Sequence, residues 1–259
     1  IYYQATTNCH IAMNKHPTKI LVVRNDKLGD FMLSLPVFAL LKHALPQTSI
    51  HALLPDYTRE IAQACPFIDV VIHDPGVSAG WHTQQHLRRQ IQAQHYDAAL
   101  TLFSTTRIGW CLLRAGIPYR LAPATKLAQL FYNQRLRQHR SASAKPEYQY
   151  NLDLARTLLR DWGVPATTDP QPPYLHFADD EINLLRRQFM QQHLIPATHQ
   201  LIFLHPGSGG SAVNLSTPQY AQLARTLRSR KPFTIIISVG PNEGARGDEL
   251  AAGLDNVPH

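Results

Sequence analysis

Residues 19–41 constrain the fold of this chain more than any other segment, because they join an apolar strand to a helix through a short charged turn. The run 20–23 is apolar and mostly β-branched, as is typical of a buried strand, and an apolar helical pattern begins near Asp30. In open α/β sheets, ligands bind at the carboxyl ends of the strands. The segment therefore predicts a nucleotide-fold domain with a charged turn at its ligand edge.

The same alternation of strand and helix patterns continues through the first half of the chain. Strands are predicted at residues 19–24, 49–54, 70–73, 98–102 and 119–121. Helices are predicted at residues 30–44, 57–64, 82–94, 106–115 and 148–162. This order is typical of βαβ units and predicts a parallel sheet.

A second, shorter set of elements follows a segment with four prolines, residues 164–173, which we interpret as a linker. Strands are predicted at 201–204 and 233–239, and helices at 179–192, 217–229 and 243–254. We therefore expect two Rossmann-like domains, at residues 17–163 and 174–259. The second domain is expected to be incomplete, since no closing strands precede His259, and Met13 is expected to be the natural start.

The charge of the chain favours an acidic partner. The formal net charge is +7, and residues 98–146 contain no Asp or Glu. That span holds eight cations: Arg107, Arg114, Arg120, Lys126, Arg135, Arg137, Arg140 and Lys145. Within it, residues 126–140 mix cations with leucines, which fits either an amphipathic segment on a membrane surface or a solvated basic helix. Nucleic acid is disfavoured, because no recognised binding module accompanies the charge.

The cysteine pattern and the lack of long apolar stretches indicate a cytoplasmic protein. Cys9, Cys65 and Cys111 form no C-x-x-C pair, so neither a disulfide framework nor a zinc site is expected. His82 and His86 are four positions apart but have no third partner, so a solvated face is favoured over a metal site. The longest apolar run, 31–41, is shorter than the about 20 residues that cross a bilayer.

Two motifs resemble those of a known family. The first is R-x-D-x-x-G-D, formed by Arg24, Asp26, Gly29 and Asp30 and followed by an apolar helix. The second is HPGSGGSAVNLSTPQYAQLA at residues 205–224, with a strand before it and a helix after its small-residue loop. Together they resemble glycosyltransferase family nine, the lipopolysaccharide heptosyltransferases. The resemblance implies a GT-B architecture, with the acceptor mainly on the first domain and the nucleotide sugar on the second.

The first motif supplies the candidate catalytic base. A carboxylate near a cleft can remove a proton from an attacking hydroxyl, although an Asp here can also simply cap the helix. The resemblance implies the catalytic role for Asp30. Lys27 either meets an acceptor phosphate or carboxylate or is a solvated turn residue, and Gly29 is expected to allow close approach of the backbone. Arg120 and Lys145 are the other candidate acceptor-binding residues.

The second motif supplies the candidate donor-binding residues. The small residues of its loop expose backbone N–H groups before a helix, and such groups stabilise a diphosphate; they are Ser208, Gly209, Gly210 and Ser211. Glu243 follows a strand, and the resemblance implies a contact with the ribose, although an acid there also suits a helix start. The chain departs from the family at Val213, where members commonly carry a cation, and Asn214 is expected to compensate in part. A D-x-G-x-x-H motif of the family is also absent before His259.

The resemblance implies an inverting transfer of heptose from ADP-heptose to the lipopolysaccharide inner core. It implies neither a cofactor nor a metal. The expected partners are the nucleotide sugar, the Kdo–lipid A acceptor and the anionic inner face of the inner membrane. Two alternatives remain open: a transferase of the same fold that uses another nucleotide sugar, and a non-catalytic fragment that binds an acidic glycolipid or a partner.

Overall fold

The computed structural model describes residues 16–124, 127–165, 168–207, 214–228, 232–240 and 242–254. The chain divides into two compact units, Ile1–His176 and Phe177–His259. Tyr174 and Leu175 pack against the core of the first unit, and the N–H of His176 donates to the carbonyl of Ala64. The first unit therefore extends past the residues predicted to form the linker.

The first unit is built on a six-stranded parallel sheet with the order β3-β2-β1-β4-β5-β6. Its strands are β1 (Lys19–Val23), β2 (Ser49–Leu54), β3 (Val70–His73), β4 (Ala98–Thr101), β5 (Tyr119–Pro123) and β6 (Gln134–Leu136). The first five match the predicted strands. Strand β6 was not predicted, because it is three residues long and half exposed, and so carries no apolar run.

Helices cover both faces of this sheet. They are α1 (Leu28–Met32), α2 (Leu35–Ala44), α3 (Arg59–Gln63), α4 (Trp81–Ala93), α5 (Thr106–Arg114) and α6 (Glu147–Asp161). Alternate residues of β1 enter different cores: Ile20 and Val22 face α2 and α6, whereas Leu21 and Val23 face α4 and α5. Burial on both sides explains why the strand sequences are continuously apolar.

The predicted helix 30–44 is wrong in one respect, because the structure divides it into α1 and α2. The break falls at Leu33 and Ser34. Pro36 stands in the first turn of α2, where its missing N–H leaves no bond unmade. The hydroxyl of Ser34 donates to the carbonyl of Phe31 at 2.6 Å and closes the end of α1. Asp30 therefore lies on a short helix of its own.

The interpretation of residues 126–140 as one solvated basic helix is wrong for the described part, residues 127–140. A 3₁₀ helix, Leu127–Phe131, is followed by the edge strand β6. Ala128 is buried beneath the 3₁₀ helix. The side chain of Asn133 donates to the carbonyl of Pro118 at 2.6 Å and accepts the N–H of Arg120 at 2.8 Å. These contacts hold the segment to the sheet as separate short elements.

The second unit contains a parallel pair of strands, β7 (Gln200–Leu204) and β8 (Phe233–Ile237). Its helices are α7 (Asp179–Gln192), α8 (Thr217–Arg228) and α9 (Gly244–Ala252). Its core joins β7 and β8 to α8 and α9 through seven buried residues: Leu204, Ala221, Ala224, Phe233, Ile235, Leu250 and Leu254. Among the described residues of both units, no helix combines the length and the apolarity needed to cross a membrane.

Candidate active site

The position of β1 in the sheet places the turn that follows it beside a crevice. β1 lies between β2 and β4, so the chain proceeds to one side after β1 and to the other side after β4. Such a reversal separates the two turns at the carboxyl edge and opens a cleft between them. Residues 24–27 and residues 102–105 therefore border the same opening.

Arg24 is the centre of a charged cluster at this edge. Its side chain is only 3% exposed. Its Nε lies 2.7 Å from Oδ1 of Asp26, and its Nη2 lies 3.1 Å from Oδ1 of Asp30. Its Nη1 lies 3.5 Å from Oε1 of Glu147, in the first turn of α6. Because a guanidinium presents five donors in a rigid plane, one buried cation holds three carboxylates in fixed directions.

Helix α6 supports this cluster from the other side. The fully buried Asn151 accepts from Nη1 of Arg24 at 3.4 Å and donates to the carbonyl of Leu33 at 3.2 Å. Arg140 forms a second ion pair with Glu147, and burial lowers the pKa of Arg140 although that carboxylate opposes the shift. From the sequence, Arg24 was identified only as part of the first motif and Arg140 only as a cation of the acid-free span. No role was predicted for Glu147 or Asn151. The available signal was an arginine placed directly after a buried strand.

The two aspartates of the cluster have different surroundings. Asp26 is 14% exposed and Asp30 is 35% exposed. Burial raises the pKa of Asp26, and the charge of Asp30 acts in the same direction, whereas Arg24 lowers it. The backbone carbonyl of Asp26 also accepts the hydroxyl of Tyr57. Asp26 therefore belongs to the interior of the turn, and Asp30 is the carboxylate that a substrate in the cleft can reach.

Lys27 and Gly29 lie beside Asp30 on the solvent side. Lys27 precedes α1 with an extended backbone, and its carbonyl accepts the N–H of Phe31 at 3.0 Å. Both residues are exposed, and a Cβ added at Gly29 would meet nothing within 4 Å. The space above this turn is therefore open to a ligand, and the acceptor-binding roles of both residues stay predictions.

Lys145 lies in a groove next to the Arg24 cluster. The groove has a volume of about 470 Å³, and six ionisable residues contribute to its lining: Arg137, His139, Lys145, Tyr150, Asp153 and Arg156. Nζ of Lys145 pairs with Asp153 and lies 4.8 Å from the ring centre of Tyr150. The guanidinium of Arg140 lies 5.7 Å from the same ring centre. Tyr150 therefore connects the groove to Arg140 and, through Glu147, to Arg24.

Arg120 is not brought together with Asp30. It is the second residue of β5 and pairs in register with Ala99, so it lies before the carboxyl edge of the sheet. Its Nε donates to the carbonyl of Phe131 at 2.9 Å, and its Nη1 donates to the carbonyl of Ile117. These bonds direct the Arg120 side chain to the segments before and after β5. The predicted contact of Arg120 with an acceptor therefore has no support from the geometry.

Asp74 and Arg107 form a further ion pair, which was not predicted from the sequence. Asp74 follows β3, its side chain is 2% exposed, and Nη2 of Arg107 lies 2.5 Å away. The carboxylate of Asp74 also accepts hydrogen bonds from the side chain of Asn25 and from the N–H of Gly76. Burial alone would raise the pKa of Asp74, but the bonds from Arg107 and Asn25 outweigh burial and hold it below its ordinary value. This pair ties together the turns after β1 and β3 and the start of α5.

In the second unit, Glu243 lies at the carboxyl ends of β7 and β8. Its Oε2 accepts the N–H of Gly240 at 3.0 Å and lies 3.6 Å from Nε2 of His205. A Cβ added at Gly207 would lie 1.8 Å from the same oxygen. The carboxylate therefore packs directly on the backbone of Gly207, which a larger residue would prevent.

The remaining donor-site predictions concern the loop after Gly207. Asn214 donates from its side chain to the carbonyl of Pro206 at 3.0 Å, and Arg246 donates to the same carbonyl at 3.3 Å. The predicted diphosphate loop, residues 208–211, and Val213 lie outside the described residues. Within the described ranges, no group of three or more His, Cys, Asp or Glu side chains is arranged to hold a metal ion.

Comparison with known proteins gives the family. Over 234 residues, the chain is 45% identical to a Haemophilus influenzae protein named "Putative glycosyltransferase", and the match covers 90% of this chain and 67% of that protein. The chain belongs to the glycosyltransferases. It is also 23% identical over 248 residues to lipopolysaccharide heptosyltransferase 2 of Salmonella typhimurium, with 92% of this chain and 68% of that protein covered. No family model matches the chain.

Two solved structures share the fold of this glycosyltransferase. A family nine glycosyltransferase from Veillonella parvula has a TM-score of 0.74 at 17% identity, and the match covers 93% of this chain and 66% of that one. The Escherichia coli ADP-heptose lipopolysaccharide heptosyltransferase II has a TM-score of 0.71 at 21% identity, with 92% and 69% covered. The predicted resemblance to family nine and the predicted GT-B α/β fold are confirmed. The chain spans about two thirds of the length of these relatives.

Proposed function

We propose that this glycosyltransferase transfers heptose from ADP-heptose to a sugar hydroxyl of the lipopolysaccharide inner core, with Asp30 as the catalytic base. The observation that carries the proposal is the geometry of Asp30, a partly exposed carboxylate at the cleft whose Oδ1 is held 3.1 Å from the buried Arg24. The fold shared with a heptosyltransferase that uses ADP-heptose supports this choice of donor.

The proposed reaction is a single displacement with inversion. The acceptor oxygen attacks the anomeric carbon of the heptose, and its proton moves to the carboxylate of Asp30. The bond between the anomeric carbon and the β-phosphate oxygen breaks, and ADP leaves with the electron pair. Arg24 fixes the direction of the carboxylate, so the base is already oriented when the hydroxyl arrives.

The donor is proposed to bind on the second unit. Backbone N–H groups of residues 208–211 would meet the diphosphate, Asn214 would support that loop, and Glu243 would accept hydrogen bonds from the ribose. Negative charge develops on ADP as it leaves, and N–H groups before a helix stabilise such charge. The proposal needs neither a cofactor nor a metal.

The acceptor is proposed to bind on the first unit. The Kdo–lipid A core carries carboxylates and phosphates, and cations pair well with both. Lys27 beside Asp30 and Lys145 in the adjacent groove are the residues proposed to meet these groups. Because this acceptor is anchored in lipid, the protein would act at the cytoplasmic face of the inner membrane.

The test compares Asp30→Asn with Asp56→Asn in a transfer assay that uses ADP-heptose and Kdo–lipid A. Asp56 is the matched control, because it also follows a strand of the same sheet edge but is 66% exposed and pairs with Arg59. We expect Asp30→Asn to lower kcat by about 10²- to 10⁴-fold, the usual contribution of a general base. Affinity for ADP should not change, and Asp56→Asn should retain the parent rate.

Unchanged turnover of Asp30→Asn would disprove the assignment of the base. Calorimetric titration of ADP-heptose and of ADP into the 259-residue chain tests the donor site separately. Saturable binding supports a functional donor site on the second unit. Lack of binding would favour the alternative in which this chain binds an acidic glycolipid without catalysis.

A second candidate is transfer of a different sugar by the same fold. Val213 stands where heptosyltransferases commonly carry a cation, and the relative at 45% identity is named only as a glycosyltransferase. A screen of nucleotide sugars at equal concentration separates the candidates. Turnover with another donor and none with ADP-heptose would replace the heptose assignment while leaving the role of Asp30 in place.

A further inference from the structure

An exposed apolar surface lies on α5 and the 3₁₀ helix that packs against it. Five exposed residues form what we call the α5 patch: Trp110, Leu113, Arg114, Leu127 and Leu130. Leu127 and Leu130 are 73% and 71% exposed, and Trp110 and Leu113 are 49% and 38% exposed. Apolar side chains grouped on a surface in this way mark an interaction site more often than scattered ones do.

Contacts between the two helices make the patch continuous. The ring of Phe131, at the end of the 3₁₀ helix, packs edge-on against Trp110 with 5.8 Å between centres. A Cβ added at Gly109 would lie 2.9 Å from Cβ of Phe131, so the two backbones are in close contact. The guanidinium of Arg114 lies 5.3 Å from the ring centre of Trp110. The patch thus combines an aromatic ring with a cation at its edge.

The two leucines point outward because their neighbours point inward. Residues three apart share one face of a 3₁₀ helix, which places Leu127 and Leu130 together. Ala128 is 5% exposed, and Phe131 packs against the core that lies beneath α5. The inward residues fix the 3₁₀ helix to the first unit, so both leucine side chains are held away from it.

The residues that flank the patch in the sequence carry no negative charge, since residues 98–146 contain no Asp or Glu. Arg135 is exposed on β6 and pairs in register with Ala122, whose side chain lies in the core beneath α5. Paired residues of parallel strands point to the same face of a sheet, so Arg135 lies on the same face as the patch. Apolar side chains flanked by cations are complementary to a surface with negative headgroups above an apolar interior.

We propose that the α5 patch docks on an anionic lipid membrane. Leu127, Leu130 and the Trp110 ring would enter the boundary between headgroups and acyl chains, and Arg114 would stay among the headgroups. The acid-free sequence around the patch, residues 98–146, favours an occupant of uniformly negative charge, as an anionic leaflet is. The inference deepens the proposed function and rests on it in one respect, because an acceptor anchored in lipid is presented at such a surface.

Co-sedimentation with vesicles tests the docking. The 259-residue chain is mixed with vesicles of phosphatidylcholine alone or with about 30% phosphatidylglycerol. We expect binding to the anionic vesicles only, with weaker binding as NaCl rises from about 0.05 to about 0.5 M. The double variant Leu127→Ser/Leu130→Ser should lower the partition coefficient at least about tenfold, since two apolar anchors are lost.

Two further variants separate the patch from general effects. Val77→Ser/Leu194→Ser removes two other apolar side chains, which are 86% and 91% exposed, and should bind vesicles as the parent does. Arg114→Gln should reduce the preference for anionic over neutral vesicles. All of these side chains are exposed, so each variant should keep the circular dichroism spectrum and melting temperature of the parent.

The proposal fails if the patch variant and the control variant bind equally, or if anionic vesicles bind no protein. It also fails if the leucine substitutions convert a dimer to a monomer without changing lipid binding, because the patch would then be a contact between two copies. Binding of ADP-heptose is measured separately by calorimetry. A parent chain that binds ADP-heptose but no anionic vesicles would overturn the docking surface alone. A parent chain that binds anionic vesicles but no ADP-heptose would overturn the donor assignment alone.

Discussion

Replacing Arg24 by methionine should destabilise the first unit strongly. The substitution keeps an unbranched stem but removes the cation that faces three carboxylates. Asp26 is 14% exposed and cannot recover its hydration, whereas Asp30 and Glu147 are 35% and 29% exposed. Breaking a buried ion pair by removing one partner costs about 3–5 kcal/mol, and each partly exposed pair adds about 1 kcal/mol or less. We expect the free energy of unfolding to fall by about 3–7 kcal/mol, mainly through Asp26.

The difference in the free energy of unfolding between the parent and Arg24→Met should depend on pH. Burial already raises the pKa of Asp26, and removal of Arg24 takes away an effect that lowers it. A carboxyl group with a raised pKa in the folded state binds its proton more tightly when folded, so protonation stabilises the fold. The deficit of Arg24→Met should therefore be largest near neutral pH and should shrink as the pH falls toward about 4.

Tryptophan fluorescence during urea unfolding measures this effect in the first unit alone. All three tryptophans of the chain, Trp81, Trp110 and Trp162, belong to that unit. The exposed Arg89 provides the control, since Arg89→Met should change the free energy of unfolding by less than about 0.5 kcal/mol.

The double variant Arg24→Met/Asp26→Asn tests the cause of the loss. It removes the buried charge together with its partner, so it should be more stable at pH 7 than Arg24→Met alone. A loss below about 1 kcal/mol for Arg24→Met, without coupling to Asp26→Asn, would refute the reasoning that Arg24 is the centre of the cluster.

Two further predictions concern the second unit and the Asp74 pair. Gly207→Ala places a Cβ 1.8 Å from Oε2 of Glu243, so the carboxylate must move away from its present position. The affinity for ADP, measured by calorimetry, should then fall about tenfold. Unchanged affinity would exclude a donor-binding role for that carboxylate. Asp74→Asn should lower the free energy of unfolding, measured with urea at pH 7, by about 3 kcal/mol. The folded pKa of Asp74 is lowered from 3.8, so its stabilisation is present above 3.8 and is lost as the pH falls through the folded pKa. A difference from the parent that does not shrink as the pH falls below 3.8 would contradict the pairing.

The strands of the first unit were predictable because burial on both faces leaves a clear trace in sequence. Each of β1, β2 and β4 is a short apolar run that ends near polar residues. The break between α1 and α2 was harder to predict, because Pro36 is compatible with the first turn of a new helix as well as with a kink in a longer one. Strand β6 and the 3₁₀ helices are too short for either periodicity to appear.

The candidate site was predictable only where its residues are close in sequence. The motif around Asp30 lies within seven residues, from Arg24 onward, and its order is visible without a structure. The partner Asn151 is 127 positions from Arg24, and no local spacing connects the two. Arg107 and Lys145 were counted as part of a basic span, although the structure pairs them with Asp74 and Asp153. Packing of distant elements decides such pairs, and a single sequence does not report it.

The distance in sequence between Arg24 and α6 also sets an order of events during synthesis. A ribosome adds about 5–20 residues per second, so the 127 positions that separate Arg24 from Asn151 take about 6–25 s to translate. Glu147 and Asn151 of α6 are added only at the end of that interval, so the guanidinium lacks both partners until then. The turn that carries Asp30 is therefore among the last parts of the first unit to reach its working geometry on the ribosome, although it is among the first to be made.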